Sequence, residues 1–308
     1  MQPGARFALV GARSDTIRID ERVEGDGDGY WLYWVGNVGW ALSHPVARIH
    51  DVVARDTRSA ALYETTGTVM LVEAVEERGA PSPRLAYRDV PAGSRRVVFT
   101  DACVFTASDA EVHALRATPE AIAMDAVDLA ASPRQLAVID PLGVTWFDEA
   151  GRFEMRTKLS EPTAIAYDAR SKGWLLAADG DVLQLHEPGR ALELVARGVG
   201  LVSRLRRGPR AIYAFAEGTL HEITDTGAHA IAAYAGGWAD FDAGWQDLHV
   251  DEGNGVARFY VDTPCGCRTR TIRSARAGAT RDPDGILISR QRQSCPVCGH
   301  EWMVDVAG

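Results

Sequence analysis

One arrangement of residues recurs along most of this chain: three or four alternating apolar residues, a short polar turn, and a second alternating run. It is seen at Ala61-Leu62-Tyr63 with Val69-Met70-Leu71-Val72, at Cys103-Val104-Phe105 with Val112-His113-Ala114-Leu115, and at Leu136–Ile139 with Val144–Phe147. It returns at Trp174-Leu175-Leu176 with Val182–Leu185, at Ile212–Phe215 with Leu220–Ile223, and at Leu248-His249-Val250 with Val256–Phe259. The turn positions Gly67, Ala110, Gly143, Gly180, Gly218 and Gly255 stand 43, 33, 37, 38 and 37 residues apart. Alternation at period two sends successive side chains to opposite faces of a strand, so each copy predicts a β-hairpin. Glycine fits these turns because a tight hairpin needs positive φ, which a residue without Cβ adopts cheaply. Ala110 predicts a longer or differently shaped turn.

A period near forty residues made of short strands is the pattern of a β-propeller, in which four-stranded antiparallel blades surround a channel. Helical repeats have similar periods but would need apolar residues at period 3.6, and long stretches of that kind are absent. Ala164–Tyr167 and Ala191–Val195 supply further strands. Near the start, Phe7–Val10 with Ile17–Ile19, and Trp31–Val35 with Gly39–Leu42, read as two more hairpins or as one blade plus a strand. The 264 residues before Cys265 hold nearly seven periods. The expected fold is therefore all-β: a propeller over residues 1–262, seven blades with six as the alternative, its first strand joining the last blade to close the ring. A small module over 263–308 follows, with its last strand either returning to the propeller or staying in the module.

That module holds two tight cysteine pairs, Cys265-Gly266-Cys267 and Cys295-Pro296-Val297-Cys298. Four thiolates fill the tetrahedral sphere of Zn²⁺ at about 2.3 Å and leave no position for an activated water, so the expected site is structural. His300, two residues past Cys298, reads either as a substitute for one cysteine or as a solvated neighbour, since the four thiolates suffice. The first pair is C-x-C where C-x2-C is commoner, and 27 residues separate Cys267 from Cys295; disulfides or free thiols are the alternatives. The first residues lack the charged-then-apolar run of a secretory signal, and no stretch is apolar for the length of a membrane span. A reducing cytoplasm is the expected compartment, where paired cysteines more often bind metal than each other. Cys103, in an apolar run, reads as an inert core thiol.

The body resembles WD40-like and quinoprotein-like propellers across about residues 7 to 262, at the level of strand rhythm, without recurrent Gly-His or Trp-Asp marks. The ending Cys265-Gly266-Cys267 with Cys295-Pro296-Val297-Cys298-Gly299-His300 resembles a zinc ribbon, which implies strands at Val256–Val261, Arg268–Arg273 and Gly285–Arg292 around two knuckles. The chain also resembles the propeller subunit of bacterial MoxR ATPase and von Willebrand A ternary systems, which would imply an adaptor beside an AAA+ ATPase.

The net charge of −9 argues against wholesale binding to nucleic acid or anionic membrane. Between Cys265 and Trp302, however, seven arginines face three acidic residues, giving +4 there and −13 elsewhere. This basic island suits a protein partner, or nucleic acid through Arg268, Arg270 and Arg273, although no aromatic lies between Cys267 and Cys295 for bases to stack on. No G-x-S-x-G, G-x-x-x-x-G-K-[ST] or G-x-G-x-x-G motif is present. His221-Glu222-Ile223-Thr224-Asp225 imitates a metalloprotease motif but falls in an expected strand, where residues four apart do not share a helical face. Asp26-Gly27-Asp28-Gly29 lacks the glutamate that would complete a calcium loop. Asp240, Asp242, Asp247 and Asp251 among Trp238, Phe241 and Trp245 form either an acidic, aromatic recognition surface or a solvated loop. The expected function is a non-catalytic, bacterial-style cytoplasmic adaptor that docks protein partners. The alternatives are a nucleic-acid-contacting subunit and a propeller enzyme with a channel site.

Overall fold

The computed structural model describes the backbone of residues 6–307 apart from 11–14, 23–28, 35–37, 42–47, 56–57, 66, 76–83, 209–210, 234–239, 244–246, 252–255, 261–262, 268, 270–271, 282 and 284–286. Side chains are described within 50–233 and 263–305. The first sheet is β1 (Arg6–Val10), β2 (Asp15–Arg22), β3 (Gly29–Trp34) and β4 (Val38–Ala41), and the second is β5 (Arg48–Arg55), β6 (Arg58–Thr65), β7 (Thr68–Val75) and β8 (Arg84–Asp89). The third runs β9 (Arg96–Phe99), β10 (Val104–Ala107), β11 (Glu111–Leu115) and β12 (Pro119–Met124), and the fourth β13 (Asp128–Ala131), β14 (Gln135–Asp140), β15 (Gly143–Asp148) and β16 (Phe153–Lys158). The fifth holds β17 (Pro162–Asp168), β18 (Gly173–Ala178), β19 (Asp181–Leu185) and β20 (Glu193–Ala196), and the sixth β21 (Val202–Arg207), β22 (Ile212–Ala216), β23 (Thr219–Thr224) and β24 (Gly227–Ala233). A seventh sheet has three strands, β25 (Asp240–Ala243), β26 (Asp247–Asp251) and β27 (Val256–Tyr260), and the C-terminal sheet has β28 (Arg273–Arg281), β29 (Leu287–Ser294) and β30 (Glu301–Ala307).

Each sheet is an antiparallel meander, and the first strands neighbour one another in chain order: β1 beside β5, then β9, β13, β17, β21 and β25, with β25 again beside β1. This is a β-propeller of seven blades whose inner strands surround the channel. The hairpins legible in the sequence are the second and third strands of blades two to seven, and the two N-terminal hairpins together form blade one. One expectation is corrected. The first strand does not join the last blade; β2, β3 and β4 follow it directly and complete its own sheet, so the ring closes by β1 lying against β25.

The turns follow local chemistry. Asp179 and Gly180 have φ of 51° and 78°, and Glu217 and Gly218 have 49° and 78°, which are two-residue turns with both central residues left-handed. At Ala110 the turn is built differently, with Ser108 Oγ accepting from the N–H of Ala110 at 3.2 Å and of Glu111 at 3.0 Å. Gly255 lies outside the described residues. Gly143 carries a further constraint, because a Cβ there would sit 2.2 Å from the carbonyl oxygen of Thr157 on the neighbouring strand. Gly143→Ala is expected to cost about 2–4 kcal/mol in urea unfolding, against about 1 kcal/mol for Gly67→Ala, whose turn has open space around it.

Middle strands are sandwiched between neighbouring blades, and so read as continuous apolar runs. All six residues of β18 and all five of β22 are buried. The core is accordingly a set of layers between blades. Ala137, Ile139, Val144 and Trp146 of blade four meet Ile165, Trp174, Leu176 and Leu185 of blade five. The indoles of Trp146 and Trp174 meet edge to face at 5.0 Å. Outer strands such as β16 are mostly exposed.

Candidate metal centre

Two knuckles bring the cysteines together. In the first, Gly266 takes φ of 72° and donates its N–H to the carbonyl of Thr263 at 2.8 Å, folding Cys265 and Cys267 to one side. In the second, the N–H of Gly299, whose φ is 76°, donates to the carbonyl of Cys295, and the N–H of Cys295 to that of His300, both at 2.9 Å. The sulfurs of Cys265, Cys267, Cys295 and Cys298 all lie within 4.8 Å of one another. Tetrahedral Zn²⁺ at about 2.3 Å from each sulfur requires sulfurs about 3.8 Å apart, so the donor set fits a soft cation with small adjustment. All five cysteines of the chain are free thiols, and Cys103 is buried as expected.

Sulfurs this close compete for protons. The Cys265 thiol is drawn down to about 6, first by the hydroxyl of Thr263, 3.5 Å away, and then by the Cys267 backbone. Cys267 is pushed up to about 12, first by its hydrogen bond with Cys298 and then by Cys265. A cation at the centre removes the competition, because its charge favours all four thiolates at once.

The sheet that follows has little else to hold it. Among the described residues beyond 262, only Thr263 and Cys295 are buried. All nine residues of β28 are exposed. β30 pairs with β29 along its whole length, and the Trp302 Nε1 donates to Gln293 at 3.0 Å while its ring stacks on His300. Arg290 and Asp305 form a two-pronged surface pair at 2.9 and 3.2 Å, an arrangement of modest worth when exposed. The strand expected over Arg268–Arg273 falls in part outside the described residues; β28 begins at Arg273, and β30, the last strand, stays in the module beside β29. Arg273 is exposed, and Arg268 and Arg270 lie outside the described residues.

The channel holds a second polar constellation that the sequence reading passed over. Asp51 accepts from the N–H of Val97 in the next blade, and Asp128 from that of Ile165 in the next, each at 3.0 Å. Arg96 spans both carboxylates, 2.7 Å from Asp128 and 3.4 Å from Asp51. Arg207 meets the buried Asp168 at 3.6 Å, and Arg55 meets Asp101 at 3.0 Å. A cavity of about 220 Å³ lies among Arg55, Arg96, Tyr167, Arg206 and Arg207. The available signal was an aspartate directly preceding an apolar pair at an inner strand, Asp51-Val52-Val53 and Asp128-Leu129-Ala130.

The other motifs are placed plainly. β23 sends the adjacent His221 and Glu222 to opposite faces, and Glu222, buried, accepts from the Tyr213 hydroxyl at 3.2 Å. Asp26, Asp28, Trp238 and Trp245 stand outside the described residues or their side chains, as do the side chains of Asp240, Phe241, Asp242, Asp247 and Asp251. Among the described residues no helix is long and apolar enough to cross a membrane.

No protein-family model matches the chain, and no curated protein matches it with significance. Solved structures do. Kluyveromyces lactis Hsv2 with loop 6CD replaced by a Gly-Ser linker aligns with a TM-score of 0.54 at 7% identity over 99% of this chain and 98% of that one. The extracellular domain of BT4673 from B. thetaiotaomicron aligns with a TM-score of 0.52 at 11% identity over 100% of this chain and 48% of that one. The chain thus spans about half the length of the BT4673 domain. At these identities the likeness bears on the fold alone, and it agrees with the all-β propeller.

Proposed function

We propose that the chain is a non-catalytic cytoplasmic scaffold, a propeller over residues 1–262 that docks protein partners and carries a zinc-ribbon-like module over 263–308. In this reading Zn²⁺ bound by Cys265, Cys267, Cys295 and Cys298 orders the module. The observation that carries it is the convergence of four sulfurs at the root of a sheet with almost no buried side chains of its own, since metal-binding free energy then becomes folding free energy. Zinc closed by four thiolates supplies structure and no reactive position. The channel's charges support the same reading, because Asp51, Asp128 and Arg96 tie consecutive blades together. Propellers free of a reactive constellation serve as rigid platforms for partners. The resemblance to the propeller subunit of MoxR ATPase and von Willebrand A systems would make an AAA+ ATPase a partner to look for.

Cross-linking mass spectrometry on the chain isolated from its host at native abundance tests this. Cross-links to a protein partner are expected. Isolation without a partner, together with turnover of a small molecule in the channel, would contradict it. Retention on nucleic acid that falls steeply with salt and is lost with Arg268, Arg270 and Arg273 changed to alanine would replace it with the nucleic-acid reading.

A further inference from the structure

The outer ends of adjoining blades are not all closed. Between blades four and five the outer layer is filled by Met155, Leu159, Leu183 and Leu192. Between blades three and four the equivalent space is an open groove of about 800 Å³, lined by Ile122, Met124, Leu142, Phe147 and Phe153. Met124 is 58%, Phe153 65% and Leu142 72% exposed, three large apolar side chains gathered in one groove. Contiguous exposed apolar surface of this kind marks contact sites.

The groove is constructed by the strands beside it. On β15 and β16, Trp146 pairs with Met155 but Phe147 pairs with Phe153, leaving Glu154 as an extra bulged residue. Without that bulge Glu154 would share the face of Phe147; with it, Phe153 does. The two rings stand edge to face at 6.5 Å, which holds Phe153 upright at the lip. Arg156 pairs with Thr145 and Lys158 with Gly143, so both cations project from the same face as Phe153. An adjoining hollow of about 630 Å³ shares Leu142 and Arg156 and adds Lys158. Asp140 is engaged by Arg156 and by the N–H of Leu142. Lys158, exposed, has no ion pair among the described residues.

We infer that this groove docks a short segment of a protein partner bearing two apolar anchors followed by a carboxylate. The anchors enter between Met124, Phe147 and Phe153, and the carboxylate reaches Lys158 beyond Leu142. The inference rests on the scaffold reading and names its contact surface.

The test is selection of a display library of random short peptides against the full-length chain. Enriched peptides are expected to share two apolar residues followed by Asp or Glu. Their affinity is expected to fall about ten-fold or more on Phe153→Asp or Leu142→Asp, and to fall less, with weakened salt dependence, on Lys158→Gln. Both apolar positions are exposed, so circular dichroism melting is expected to be unchanged. Peptides that bind equally well to Phe153→Asp and Leu142→Asp, or no enrichment at all, would overturn the inference. So would concentration-dependent dimerisation abolished by Phe153→Asp, which would give the groove to a second copy. Binding elsewhere on the chain leaves the scaffold reading standing without this groove; catalysis in the channel with groove selection intact removes the scaffold reading and leaves the groove.

Discussion

Changing Cys298 to serine, or adding a strong zinc chelator, is expected to unfold residues 263–307 while the blades remain folded. None of the described side chains of β28, β29 and β30 is buried, and the module's one buried apolar residue among those described is Cys295 in the knuckle after β29, so burial at about 25 cal/mol per Å² has little to act on. A three-stranded sheet without a covered face is marginal alone. Zinc bound by the four thiolates would supply what is lacking: apparent binding free energies in small Cys-rich modules run to about 10–16 kcal/mol. A site short of one thiolate forfeits a large part of that. Hydrogen exchange is the measurement, and it should show near-complete loss of protection over β28–β30 with blades one to seven unchanged. Loss of protection throughout the chain would show that the two parts fold as one unit.

The second large effect belongs to the layer between blades four and five. Trp174 is 2% exposed, meets Trp146 at 5.0 Å and Tyr167 at 5.2 Å, and packs against Ile139 and Leu176 in the same cluster. Trp174→Ala removes one of the two largest side chains of that layer and leaves a cavity that rigid strands on both sides cannot fill. The expected cost is about 3–5 kcal/mol, read as a lowered urea midpoint with an unchanged slope. Trp174→Phe keeps most of the volume and is expected to recover more than half of it. If both variants unfold like the parent, the core does not lie between the blades.

What could be read in advance follows from physics. The middle hairpins were legible because strands buried on both faces demand unbroken apolar runs and their turns demand glycine. The inner strands were harder: Asp51 interrupts β5 and Asp128 opens the four-residue β13, carboxylates whose place in a core is explained only by the N–H groups of Val97 and Ile165 donating to them from the next blade. That pairing spans 46 and 37 residues and leaves no local pattern. Ring closure was misread for a related reason, since a strand at the chain's start carries no mark of which sheet it will join. The thiol site was legible because both knuckles are local, Gly266 and Gly299 included. β28 has no large apolar residue that would mark its bounds, whereas β30 alternates Trp302, Val304 and Val306. The groove at Phe153 depends on a single bulged residue, Glu154, and a bulge has no reliable signature in sequence.

X-ray absorption at the zinc edge on protein purified without added metal, with metal content measured on the same sample, bears most directly on the central claim. One zinc per chain with a shell of four sulfurs at about 2.3 Å is the expected result. A chain without metal whose four thiols are reduced and whose β28–β30 sheet is nonetheless fully protected from exchange would contradict it.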